Sequence, residues 1–375
     1  MRVTFVNANT GHDYDVDSAF TAPLGGGEAA QCFLAVELAR LGVEVHLLNG
    51  TRKASQVHGV TCLPLSRDTL DGIAARSDAV FLSNFPESIV GVLRDEIGYD
   101  ARLLLWEQNF WIASNEAHRR TAAAMTHPRD TIICVSDWHR RDYMEVGGID
   151  PSRVVVLRNA ISPFFEGLFA PGESISACKA WPPVMAFTSV PYKGLTLAMD
   201  LLKPIRDTVT DVTLNIFSSF NLYAENNLLR NNQEWLDVCD RCRATLGANY
   251  IGVTPRPELA RSLRGTSILF YPNVMPETSS IAVMEAMAAG CLILTSELAA
   301  LPETLAGFGR AIPIVGNDDY PTMFYGETVN LLRFLRADPT FFEDHLQRQV
   351  AFVNSEYTFA RRATEVVDLL ARLKA

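Results

Sequence analysis

Two glutamates carry the most chemical information in the chain. Glu277 and Glu285 are separated by seven residues, and no other charged residue lies between Glu277 and Glu297. Glu285 sits among Ile281, Ala282, Val283, Met284, Ala286, Met287, Ala288 and Ala289. A carboxylate on so apolar a stretch costs several kcal/mol to bury unless something hydrogen-bonds it. Sugar hydroxyls are suitable donors. Thr278 or Ser279 suits the N-cap of a helix. The N–H groups of Thr278, Ser279, Ser280 and Ile281 would then form an anion site suited to phosphate. Acceptors for hydroxyls beside donors for phosphate are what a nucleotide sugar requires. The bland alternative is that Glu285 reaches solvent and Glu277 only favours the helix dipole.

The elements around these residues follow from local pattern. Residues 267–271 are a short apolar run bounded by turn residues, hence a buried strand. Pro272, Asn273 and Pro276 break it. A helix follows to about Ala289, with Gly290 as a favoured C′ residue. Residues 291–295 form a second strand, so the unit is a βαβ crossover of a parallel sheet.

A similar unit opens the chain. Residues 2–7 predict a strand, 8–27 a loop, and a helix from Ala29 ends at Gly42. Residues 43–48 form the next strand. Gly25, Gly26 and Gly27 precede that helix, where α/β folds bind ligands and a diphosphate can approach bare backbone. An ordinary flexible loop is the alternative. The G-x-G-x-x-G spacing of a nicotinamide site is absent. Strands are further expected at 79–83, 101–106, 131–136 and 154–157, with a helix opening through Asp137. Residues 162–182 carry prolines and glycines without periodicity and read as an interdomain linker. A second α/β series follows: strands at 184–188, 212–217 and 250–253, and helices at 193–209, 257–264 and 320–347. A last helix at 357–374 follows a break near Asn354.

Glu277, Glu285, the run EAMAAG and the run ALPET together resemble the E-x7-E signature of retaining glycosyltransferases of GT-B fold, of the family-four (glycosyl transferases group 1) type. Thr278-Ser279-Ser280 stands where that family has G-F-G, and Leu292 where it has proline. LAVELARLGVEV and Arg158-Asn159-Ala160-Ile161 resemble two further segments of the family.

The resemblance implies an α/β chain of two Rossmann-like doubly wound domains facing a cleft. The acceptor domain would span 1–165 plus a C-terminal helix, 355–375, crossing back to it. The nucleotide-sugar donor domain would span 166–354. Retaining, metal-independent and cofactor-free transfer is implied, from a nucleoside-diphosphate sugar to a glycan, lipid-linked or small-molecule acceptor hydroxyl. Glu277 would hold the reacting sugar and Glu285 the ribose. Lys193, Gly26, Gly27 and the amides of Thr278, Ser279, Ser280 and Ile281 would hold the diphosphate. Thr188 and Ser189 stand where the family has an arginine, so one cation is missing. Val253 and Arg256 lie in the loop that meets the nucleobase in the family; Arg256 could stack on the base, reach phosphate, or only meet solvent. Gln108 replaces a family histidine, beside Glu107 and Asn109. These three, with Asn159, are the acceptor or sugar contacts. A non-catalytic nucleotide-sugar binding protein and a non-hydrolysing epimerase are the rival readings.

Composition narrows the class. The 375 residues suggest two domains. A net charge of −10 argues against nucleic acid as a partner. No apolar run reaches ~18 residues, and seven scattered cysteines suit a reducing cytoplasm. Basic residues in 117–129 and 138–141 could meet the inner face of a membrane peripherally, or be solvated. Cys239 and Cys242, in a C-x-x-C, fall inside an expected helix and have no second ligand pair for zinc.

Overall fold

The computed structural model describes every residue except 85, 111–115, 219–232, 315, 317 and 375, and the side chains of 118 and 374 are also left aside. The chain divides into two compact units, Met1–Ala160 with Phe359–Ala375, and Ile161–Thr358.

The first unit is built on an eight-stranded sheet. Its strands are β1 (Arg2–Asn7), β2 (Glu44–Asn49), β3 (Ser55–Val57), β4 (Val60–Pro64), β5 (Ala79–Ser83), β6 (Arg102–Trp106), β7 (Thr131–Cys134) and β8 (Val154–Val156). The order is β3-β4-β2-β1-β5-β6-β7-β8. Every pair is parallel except β3–β4. Both faces are covered, which is why these strands read as apolar runs rather than alternations. Phe5, Leu47, Phe81, Leu104 and Ile133 join one core with Phe33, Leu34, Val366 and Leu370. Val6, Leu48, Val80, Leu82, Leu103 and Ile132 join the other with Val90, Leu93 and Tyr143. The C-terminal helix Phe359–Lys374 belongs to this unit, with the Phe359 and Phe33 ring centroids 5.5 Å apart.

The second unit holds a six-stranded, all-parallel sheet. Its strands are β9 (Val184–Phe187), β10 (Thr213–Ile216), β11 (Ala248–Tyr250), β12 (Ile268–Tyr271), β13 (Leu292–Glu297) and β14 (Arg310–Pro313), in the order β11-β10-β9-β12-β13-β14. The chain leaves β9 toward β10 on one side and returns to β12 on the other. The boundary between β9 and β12 is therefore a topological switch point, where the loops diverge and leave a ligand-sized crevice.

Four expectations need correction. The third strand of the second unit is Ala248–Tyr250, not 250–253, because Gly252 turns the chain at φ 82°. Residues 320–347 are two helices, Tyr320–Ala337 and Glu343–Glu356, since Asp338 precedes Pro339 and takes extended angles. The second of them runs through Asn354, whose amide donates to Val350 O at 2.8 Å, and the break falls at Tyr357 and Thr358. Residues 162–182 are not a linker. Ile161, Phe165 and Ile175 are wholly buried in the second core, and 3-10 turns at Pro163–Phe165 and Ser176–Cys178 replace any regular period. Glu343 accepts the N–H groups of Ile175 and Ser176 at 2.9 and 2.8 Å, satisfying backbone that no helix or strand serves.

Phe165→Ala is expected to destabilise the second unit by about 3–5 kcal/mol, read by chemical denaturation, as for a large core aromatic. A linker phenylalanine would leave the midpoint unchanged.

Candidate functional site

The second unit brings Lys193, Arg256, Glu277 and Glu285 to the C-terminal edge of its sheet. After β9 come Thr188 and Ser189, a 3-10 turn at Pro191–Lys193, and the helix Leu195–Thr208. Lys193 thus lies before that helix, not at its opening. Gly194 separates the two with φ 115°, and a Cβ there would overlap the Pro272 carbonyl oxygen. Only glycine meets both demands. The close approach seats the turn after β9 on the loop after β12.

That contact brings Lys193 Nζ to 2.9 Å from Glu277 Oε2. Glu277 Oε1 accepts the Tyr271 hydroxyl at 2.6 Å, and Ser189 Oγ lies 3.3 Å from the same hydroxyl. Glu277 is 8% exposed and Tyr271 is buried. Burial and the neighbouring Glu277 carboxylate push the Tyr271 phenol well up, so it stays a donor. The loop holding Glu277 is itself fixed. Met275 N–H donates to Asn273 Oδ1 at 3.2 Å, Tyr320 hydroxyl to Asn273 O at 3.4 Å, and Ala300 N–H to Glu277 O at 2.9 Å.

The helix carrying Glu285 is Ile281–Ala288. Its N-cap is Ser280, not Thr278 or Ser279, and the first helical bond runs from Met284 N–H to Ser280 O at 3.1 Å. The first-turn donors are therefore Ile281, Ala282 and Val283. Thr278 and Ser279 form a bend ahead of the helix. Glu285 lies one turn in and is 3% exposed. Its Oε1 pairs with Arg256 Nη1 at 2.7 Å and accepts Ser162 N–H at 3.3 Å. Burial raises the Glu285 pKa, and the Arg256 guanidinium opposes the rise. Arg256 opens the helix Arg256–Arg264, after half-buried Val253 and the N-cap Pro255. Its side chain is largely buried as the counter-ion of Glu285, the kind of partner a buried carboxylate needs.

The other expected residues lie in the first unit. Gly26 and Gly27 form the first turn of the helix Gly26–Arg40 rather than a loop before it. The Glu28 side chain folds back over Gly25, where a Cβ would overlap its carboxylate. That places an acidic group at the positive end of the helix. Gln108 and Asn159 bond reciprocally, Nε2 to Oδ1 at 3.2 Å and Nδ2 to Oε1 at 3.0 Å. Glu107 points inward, is buried, and is bonded to the Tyr143 hydroxyl; burial pushes its pKa up to about 7. Asn109 is exposed, but its carbonyl accepts His139 Nε2–H at 2.8 Å. His139 Nδ1 accepts Val135 N–H at 3.2 Å, which fixes the neutral tautomer. Residues 111–115, shortly after Asn109, lie outside the described residues.

Several other groups are structural. Cys239 and Cys242 are buried free thiols, and Cys239 Sγ lies 3.3 Å from the Tyr250 hydroxyl. Arg120 pairs with Glu87 and Glu116, and Arg129 with Asp100, while Arg119 is exposed. No described helix is long and apolar enough to cross a membrane. Two residues of the site escaped the sequence reading. Tyr271 ends an apolar strand, and its hydroxyl was the available signal. Ser162 acts through its backbone, which no side-chain pattern reveals.

Solved structures share this fold. A glycosyltransferase from Rickettsia africae superposes with a TM-score of 0.73 at 12% identity, over 99% of this chain and 98% of that one. HepE of Anabaena, solved with UDP-glucose, gives 0.70 at 13%, over 99% and 100%. Sucrose-phosphate synthase of Thermosynechococcus elongatus gives 0.74 at 14%, over 100% and 99%. At such identities the likeness establishes the fold, the GT-B fold of two Rossmann-like α/β domains. No protein-family model matches the sequence, and no curated protein sequence does.

Glu107 gives a test of the first unit by pH. Its folded pKa lies above the unfolded carboxyl value, so the folded state binds the extra proton. Stability should fall as pH rises from about 4.5 to about 7, by on the order of 3 kcal/mol at most. Glu107→Gln should be more stable than wild type at about pH 8, with the difference vanishing toward about pH 5, as read by denaturation at each pH.

Proposed function

We propose that the chain is a retaining, metal-independent glycosyltransferase acting on a nucleoside-diphosphate sugar. The carrying observation is the Lys193–Glu277 pair at 2.9 Å, set with buried Glu285 at the switch-point edge of β9 and β12. The fold neighbours support the reading, since they are glycosyltransferases and one was solved with UDP-glucose.

The charges suggest a sequence of exchange. An incoming diphosphate competes with Glu277 for the Lys193 ammonium. Lys193 then balances the charge that grows on the leaving diphosphate. Glu277, still held by Tyr271, gains an oxygen free to accept a hydroxyl of the reacting sugar. Glu285 accepts ribose hydroxyls, and the first-turn amides of Ile281, Ala282 and Val283 supply further donors to phosphate. Both glutamates are engaged by hydrogen bonds, which disfavours either as a covalent nucleophile. The acceptor hydroxyl oxygen would instead bond the anomeric carbon on the face that the diphosphate leaves. The C–O bond to diphosphate breaks, and a diphosphate oxygen takes the hydroxyl proton. The first unit would bind the acceptor, a glycan, a lipid-linked sugar or a small molecule. The neutral Gln108–Asn159 pair suits sugar hydroxyls better than a proton-transfer step. That same pair, with no cation at Thr188 or Ser189, also favours the second reading, a protein that binds the nucleotide sugar without transferring it.

Calorimetric titration with UDP, GDP and ADP should give micromolar binding of one of them, weakened about tenfold or more in Glu285→Ala. With that nucleotide's sugars and a panel of acceptors, transfer should persist in EDTA, and proton NMR should find the donor's anomeric configuration in the product. Lys193→Met should lower kcat/KM by roughly 10²–10³-fold. Donor bound but never transferred would favour the binding-protein reading. Donor consumed with no acceptor present would point to an epimerase, and no nucleotide bound would end the proposal.

A further inference from the structure

Glu285 has an asymmetric set of partners. Oε1 receives both Arg256 Nη1 and the Ser162 N–H, while Oε2 makes no bond to any described residue. Arg256 can be placed there because it is the first residue of its helix, after the turn at Gly252. Its side chain is 13% exposed and that of Glu285 is 4% exposed. The elements packed on the Glu285 helix present no other charged bonding partner to this carboxylate. Strand β13 brings buried Thr295, and the helix Glu343–Glu356 brings Gln349, committed to Met287 O and Cys291 O at 3.0 and 2.9 Å.

We infer that Arg256 is a positioning residue for nucleotide binding: it keeps Glu285 ionised and turned so that Oε2 is the oxygen offered to a ribonucleoside diphosphate. The inference rests on the reading of Glu285 as a ribose acceptor. It assigns Arg256 a role through Glu285, and not as a second cation on phosphate. The physical reason is protonation. A buried carboxyl without its cation takes up a proton, and a protonated Glu285 loses acceptor strength. Burial raises the Glu285 pKa, and the Arg256 guanidinium at 2.7 Å opposes that rise.

The test is titration of UDP, GDP and ADP into wild type, Arg256→Gln and Arg256→Lys at about pH 6, 7 and 8.5. The nucleotide that binds wild type should do so with affinity varying less than about 3-fold. Arg256→Gln should bind about 30-fold more weakly at the lowest pH and recover most of that loss at the highest. Arg256→Lys, which keeps a cation, should restore the flatter profile. A loss in Arg256→Gln of equal size at every pH, or no loss, overturns the inference while leaving the proposed function standing. Wild type binding none of the three overturns both. Should Arg256→Gln not fold, carbon-13 NMR of the Glu285 carboxyl, assigned with Glu285→Gln, decides on nucleotide-free protein. A titration midpoint higher in Arg256→Met, which removes the cation, than in wild type supports the inference, and an unmoved midpoint overturns it.

Discussion

Two buried carboxylates in one small region are the constraint on which the second unit depends. Glu277 and Glu285 would each cost several kcal/mol to bury alone. Each is matched by one cation, Lys193 and Arg256, and by one further donor, the Tyr271 hydroxyl and the Ser162 N–H. The four charged groups come from four different places in sequence. They meet because all strands of a parallel sheet end at one edge, so loops far apart in the chain open onto the same side. The βαβ topology is therefore what makes the pairing possible, and the pairing makes the polar edge tolerable.

The backbone details serve that end. Gly194 lets the turn after β9 press on Pro272, and Asn273 shapes the next loop so that Glu277 faces Lys193. The Glu277 carbonyl then anchors Ala300, beyond β13. A larger residue at 194 would push apart two loops whose charges lie 2.9 Å from each other.

The first unit solves a different problem. Its corresponding edge sets ion pairs, Arg52 with Asp13 and Arg158 with Asp137, around groups that carry no fixed charge. Gln108 and Asn159 bond each other, both ring nitrogens of His139 meet backbone, and Glu107 is a carboxyl whose burial brings its pKa near neutrality. Such groups can meet neutral hydroxyls without the desolvation cost of full charges. The two units share an architecture and differ in electrostatics.

The sequence by itself determined the elements that depend on local pattern. The apolar runs of β1, β5, β9, β12 and β13 marked a parallel, doubly covered sheet, and the lone carboxylates on an apolar stretch marked Glu277 and Glu285. Tertiary structure decided the partners. Arg256 reads as an ordinary loop arginine until the fold carries it to Glu285, 29 residues away. Tyr271 and Ser162 gain their roles only by proximity. The segment 162–182 looked like a linker because packing without period leaves no trace in sequence spacing. The Glu285 helix starts at Ile281 although Thr278 and Ser279 offered good capping side chains, and nothing in the local pattern marks the later start. Periodicity and capping act over a few residues and are written in the chain. Charge pairing and core closure act across the fold, and only the folded chain reveals them.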